Sequence, residues 1–249
     1  MATGRKTSAG TTRKRTAAVR RGGFRQLPFT HLWRWFRRGV MAVAVFFPAL
    51  ILLYAFVNPP TNYYILSESY RLGGVARDWV DLEDMAPDMA RSVVAAEDAN
   101  FCLHWGFDIK AIKAALEEGA NRGASTVTQQ VVKNVFLWQG RSWLRKAMEA
   151  VLTPVVELVW TKRRIVEVYL NVAETGKGVF GVEAAAQTYF GTSAAKLSAK
   201  QAALIAAALP DPKGRNPAKP SGYLRKRAAA IIQGAETIKA DGRAACFED

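Results

Sequence analysis

The stretch Ala95–Asp108, AAEDANFCLHWGFD, decides how the rest of the chain is read. Ala90, Val93 and Val94 precede Glu97 at helical spacing, so in a helix Glu97 extends an apolar stripe, while Asp98 turns round with Arg91 and Val94. A carboxylate on an inward face loses hydration, which favours its neutral form and suits a general base working near neutral pH. A helix-end acid bound to backbone or to an arginine is the plainer alternative, and spacing alone does not choose between them. The aromatics, His104 and Gly106 that follow are unusual company for surface acids.

Downstream, GASTVTQQVVKN (Gly123–Asn134) carries two stripes at helical spacing. Thr128, Val131, Val132 and Val135 form the apolar one; Thr126, Gln130 and Lys133 form the polar one, with Ser125 or Thr126 placed to cap. This is either an ordinary amphipathic helix or a face offering Ser, Thr, Gln and Lys to sugar hydroxyls and a phosphate. In RKAME, Arg145 and Lys146 share a helix face with Glu149. They make either a surface ion pair or a cationic phosphate site whose second acid holds the cations in place. GKGVFG (Gly176–Gly181) matches a dinucleotide-binding pattern, but Glu183 is the only acid between Gly181 and Asp211, and βαβ alternation is missing. Its glycines read instead as sites of close backbone packing.

Helical periodicity predicts elements over Pro87–Asp98, Asp108–Asn121, Thr126–Phe136, Ser142 to about Asn171 with a bend or break at Pro154, Val182–Phe190, Ala199–Leu209 and Leu224–Ala240. Almost nothing alternates with period two, so the class is mainly α. Leu209–Tyr223 is a Pro-rich loop.

Half of the 249 residues are apolar and the net charge is +14. Residues 1–39 hold 11 Lys/Arg and no acid, whereas the other 210 carry 24 basic and 21 acidic side chains. Val40–Val57 is an uncharged run of 18 residues, about 27 Å as a helix, with Trp33, Trp35, Phe36 and Tyr54 at its flanks. It reads as a retained anchor, in preference to a buried core helix or a cleaved signal. The resulting organisation is a basic cytoplasmic tail (1–39), a transmembrane helix (40–57), a connector with some extended structure (58–84) and a domain over 85–249 outside the cytoplasm. Two cysteines, Cys102 and Cys246, are too few for a disulfide framework, and their pairing is open. With only His31 and His104, a histidine metal cluster is excluded.

Taken in order, these motifs resemble the peptidoglycan glycosyltransferases of cell-wall synthesis over roughly Asp78–Asn216. EDANFCLHWGFD, GASTVTQQVVKN, RKAME, KRRIVEVYLN and GVFGVEAAAQTYFG are similar to the family's five motifs, and the chain resembles the monofunctional, membrane-anchored branch. Two departures are Gln201, where the family often has Glu, and Pro154 in a helix usually continuous.

The resemblance implies a mainly α, lysozyme-like, two-lobed domain behind a single transmembrane helix in the bacterial inner membrane, with the catalytic domain periplasmic. It implies lipid II and the growing glycan strand as substrates, and membrane lipid and other cell-wall synthases as partners; the lack of any reader motif, with the basic tail beside anionic lipid, argues against nucleic acid. Glu97 falls on the catalytic glutamate and Glu149 on the second. Ser125, Thr126 and Gln130 are expected to contact substrate, and Lys133, Arg145 and Lys146 to hold the pyrophosphate. A divalent cation (Mg or Mn) at the pyrophosphate is left open, with Glu149 either orienting the cations or binding the metal. His104 is expected to shape its loop by hydrogen bonding, and Tyr169, Asn171, Tyr189 and Phe190 to pack. The rival readings are a lysozyme-like hydrolase or lytic transglycosylase, and a non-catalytic membrane-anchored scaffold or a DNA-tethering protein using the basic tail.

Overall fold

The computed structural model describes Met1, residues 29–117, Gly123 and residues 125–248. The chain divides into units over Met1–Ala42 and Val43–Asp249. Helix α1, Phe29–Tyr54, runs across that division. One span within it, His31–Tyr54, is long and apolar enough to cross a membrane. Pro48 lies inside α1 without ending it.

The segment read as a connector contains a helix of its own, α2 (Tyr63–Leu72), and a two-residue strand β1 (Ala76–Arg77). The helix was not foreseen because its start depends on a cap: Asn62 Oδ1 accepts from the Ile65 amide, and Gly73 in the left-handed region closes the other end. Then follow α3 (Pro87–Glu97), α4 (Ile109–Glu117), α5 (Val127–Phe136), α6 (Trp143–Val159) and α7 (Lys162–Val172). The end expected for α4 at Asn121 lies outside the described residues. Strands β2 (Glu174–Gly176) and β3 (Val179–Phe180) precede α8 (Val182–Phe190), α9 (Ala199–Ala208), α10 (Gly222–Ala240) and α11 (Ala245–Glu248). The architecture is mainly α, as the sequence predicts, with a small sheet of order β1-β3-β2 that its two- and three-residue strands concealed.

One expectation fails. The long helix from Ser142 is not broken in two at Pro154, which lies inside α6. The division comes at Trp160, in extended backbone, followed by Thr161, whose hydroxyl accepts from the Arg164 amide and starts α7. Burying the Trp160 indole, with Nε1 donating to the Ile51 backbone oxygen (2.7 Å), favours the break there.

The core forms in two layers of contact. Ala202, Ala203, Ala206, Ala207 and Ala208 are buried along α9, and these small side chains allow α3 and α10 to pack closely against it. Val131 and Val132 of α5 are fully buried against α6 and α7, each contributing about 1.5–3 kcal/mol. Gln201 completes a capping box with Ser198 at the start of α9, a task an amide performs as well as a carboxylate. The Gly176–Gly181 segment packs closely, as expected: a Cβ at Gly176 would fall 1.8 Å from the Tyr189 hydroxyl, and Gly181 (φ +81°) lies against the Asn171 backbone. Cys102 and Cys246 are joined in a disulfide across a sequence separation of 144. In the chain-entropy account, a loop of that size restricts the unfolded chain by about 5 kcal/mol.

Candidate active site

The site is built where α3 ends. Pro87 starts the helix at a position that needs no amide donor, and Met89, Ala90, Val93 and Val94 bury its inner face. Glu97 is the last helical residue; at Asp98 the chain leaves the helix (φ −161°, ψ 65°).

The burial expected of these two acids is the reverse of what is found. Asp98 is buried and Glu97 is half-buried. Asp98 Oδ2 accepts from the Val127 amide (3.0 Å), and Oδ1 lies 2.8 Å from His104 Nε2. Asp98 therefore ties the end of α3 to the start of α5, a tertiary partner that helical spacing does not reveal. His104 shapes the loop, as expected. Lys162 Nζ donates to the His104 backbone oxygen (2.8 Å) and to Glu157 (2.9 Å), and stands 4.2 Å from the Phe101 ring centroid. Burial holds the Lys162 ammonium below its usual range, with Glu157 and Asp98 opposing the shift. Gly106 (φ +78°) permits the turn: a Cβ there would meet Thr153 Cγ2 at 2.5 Å.

Glu97 opens onto a cavity of about 190 Å³, whose lining includes Asn100, Asp108, Ser125 and Thr126. Ser125 is exposed there. Thr126 caps α5, accepting from the Gln129 amide (3.2 Å) and donating to the Gly106 backbone oxygen (2.7 Å). Its hydroxyl is thus engaged within the protein, and its buried side chain shapes the wall.

Gln130 Nε2 donates to Glu97 Oε2 (2.8 Å), while Gln130 Oε1 accepts from the Tyr169 hydroxyl (3.2 Å). Tyr169 packs in the core as expected, and its hydroxyl also orients the amide that holds Glu97. Sequence reasoning missed this link because Gln130 and Tyr169 are 39 positions apart. Burial, then the nearby Glu97, raise the Tyr169 phenol well above its usual range. Gln130 and Lys133 also line a second cavity of about 380 Å³, walled by Tyr64, Glu174 and Lys213 among others. Burial and a hydrogen bond to Glu174 push Tyr64 up to about 12.

Glu149 on α6 is buried at 3% exposure. Arg145 Nη1 donates to its Oε2 (2.6 Å) and Lys146 Nζ pairs with its Oε1. Arg145 also donates to the Gly140 backbone oxygen (2.9 Å). The buried carboxylate distinguishes this cluster from a surface ion pair. Burial lowers the Lys133 ammonium below the usual 10.5; Glu149 opposes that shift, Arg145 and Lys146 add to it, and Glu97 opposes it least.

The donor set does not fit a resident divalent ion. Both oxygens of Glu149 already face cations, and among the described residues no three His, Cys, Asp or Glu side chains gather. Asn171 clamps the segment before α3, its amide bonding both backbone groups of Val80 (2.9 and 2.8 Å), and Tyr189 donates to the Thr175 backbone oxygen (3.2 Å).

Residues 52–236 match the family model described as Transglycosylase. A biosynthetic peptidoglycan transglycosylase of Jannaschia sp. (strain CCS1) is 58% identical over 214 residues, covering 86% of this chain and 90% of that protein. Proteins of the same name from Yersinia pestis (strain Pestoides F) and Yersinia pseudotuberculosis serotype O:1b (strain IP 31758) are 46% identical over 228 residues, covering 87% of this chain and 92% of each.

Proposed function

For this chain, which belongs to the transglycosylase family and is a lysozyme-like peptidoglycan glycosyltransferase of cell-wall synthesis, we propose the following division of the reaction among its residues. The substrate is lipid II, a disaccharide-pentapeptide on undecaprenyl pyrophosphate. Glu97 takes the proton from the attacking sugar hydroxyl. The freed oxygen bonds to the anomeric carbon from the face opposite the pyrophosphate, so configuration inverts. The bond to pyrophosphate breaks and its electron pair stays on the departing oxygen.

That leaving group needs positive charge more than a proton. Lys133, Arg145 and Lys146 supply it, and Glu149 keeps the latter two in place. Arg145 has five N–H donors, so its contacts with Glu149 and Gly140 leave others for a phosphate. Ser125 and Gln130 meet the sugar at the cavity walls, and Thr126 sets the wall's position. The observation that carries this reading is the neutral amide of Gln130 on Glu97, with Lys133 one helical turn further along α5 and lining the same cavity as Gln130.

In the same reading α1 is a single-pass anchor in the inner membrane, with the basic tail cytoplasmic and the domain from residue 85 periplasmic. The disulfide supports an oxidising compartment. Exposed Trp143, Leu144, Val151 and Leu158 on α6 suit a domain working at a lipid surface. Trp160 grips the Ile51 backbone oxygen and Arg164 those of Tyr54 (3.1 Å) and Val57 (3.0 Å), so the end of α1 is held firmly to α7 and its preceding turn. An anchored enzyme meets its lipid-linked substrate within one membrane, which raises the effective concentration.

The test is incubation of the detergent-solubilised full chain with lipid II and, separately, with finished glycan. Polymer gain from lipid II with release of undecaprenyl pyrophosphate is expected. Loss of finished glycan without polymer gain overturns the proposal.

A further inference from the structure

The last described residues fold back onto the turn that follows Glu97. Arg243 Nη1 donates to the Ala99 backbone oxygen (3.2 Å). Phe247 is buried, its ring centroid 6.4 Å from that of Phe101. Cys246 is bonded to Cys102, with Cα atoms 5.7 Å apart. Arg91, on α3 itself, donates from Nε to Glu248 (2.5 Å). Four side chains from one short terminal segment thus grip the chain on both sides of Glu97. Glu97 needs such a grip. It is the final helical residue, where helices fray, and the Asp98 amide bonded to Val94 (2.8 Å) is the last link of the ladder.

We propose that Arg243–Glu248, fastened by the Cys102–Cys246 disulfide, is a positioning brace for Glu97: it fixes the path of residues 98–103 and so the direction in which the carboxylate meets the sugar hydroxyl. Asp98–His104 and Lys162 hold the same turn by separate bonds, and the brace adds to that hold. Both cysteines are half-buried, so a small dithiol reaches the bond. Its reduction transfers two electrons and two protons: the S–S bond breaks, two thiols form, and the reductant closes to its own disulfide. The proposal rests on Glu97 being the base, but the hold on the turn is measurable separately.

The experiment compares the full chain oxidised, reduced with dithiothreitol, and as the Cys102→Ser, Cys246→Ser double variant, reading amide hydrogen exchange and polymerisation of lipid II. On reduction, exchange over residues 97–104 is expected to speed at least ~10-fold while α6 and α8 stay unchanged. The kcat falls about tenfold with KM within about twofold, as for a displaced reacting group. Reoxidation restores the rate of the wild-type chain and not of the double variant. Unchanged exchange over 97–104 overturns the brace, as does unchanged kcat, or exchange rising equally through every helix. An undiminished rate in Glu97→Gln, by contrast, sinks the base assignment and leaves the exchange result standing.

Discussion

Helix α3 at its end and α6 in its interior each present a glutamate, and their surroundings are opposite. Glu97 is half-buried, receives a hydrogen bond from a neutral amide, and among the described residues pairs with no cation. Glu149 is buried with an arginine and a lysine on its two oxygens. A carboxylate held by a neutral donor can accept a proton without giving up an ion pair. One clasped by two cations would lose both pairs on protonation, so it serves to hold charge. In the proposed reaction the same side chain is thus given two tasks by its neighbours and not by residue type.

Several changes break or sharpen that contrast. The largest effect is expected from Glu97→Gln: polymerisation falls about 10³-fold or more, within the range for a lost general base, while the unfolding midpoint in urea stays near wild type. Glu149→Gln is expected to cost about 10²-fold in rate and also to lower that midpoint, because loss of the buried carboxylate leaves Arg145 and Lys146 without their ion-pair partner. Equal losses of stability in the two variants would erase the distinction.

Gln130→Ala should lower kcat about tenfold by releasing Glu97. Tyr169→Phe removes one hydrogen bond two steps from the chemistry and should cost about 1 kcal/mol of stability and a few-fold in rate. Finally, burial makes Lys133 lose its proton below lysine's usual 10.5. If Lys133 serves the pyrophosphate as proposed, its charge there is lost as pH rises, so the alkaline limb of kcat/KM should lie below that value. It should move upward in Lys133→Arg, whose guanidinium stays charged.

Features within one helical turn were legible in the sequence. The spacing of Val93, Val94 and Glu97, of Thr126, Gln130 and Lys133, and of Arg145, Lys146 and Glu149 places each set on one face before any fold is known. Features made by distant partners were hidden. Asp98 is buried because α5 begins above it, Tyr169 reaches Gln130 from another helix, and Cys102 meets Cys246 across the length of the domain. The helix continues through Pro154 and divides at Trp160, whose indole bonds to the Ile51 backbone from a distant part of the chain. Strands of two or three residues leave too little alternation to detect.

The most direct measurement is chemical rescue by formate, a small carboxylate able to enter the cavity beside a shortened side chain. Polymerisation of lipid II by Glu97→Ala should recover in proportion to added formate, while Glu149→Ala, which has lost a clasp for two cations, should not respond. Rescue of Glu149→Ala alone, or of neither variant, would contradict the assignment of proton transfer to Glu97.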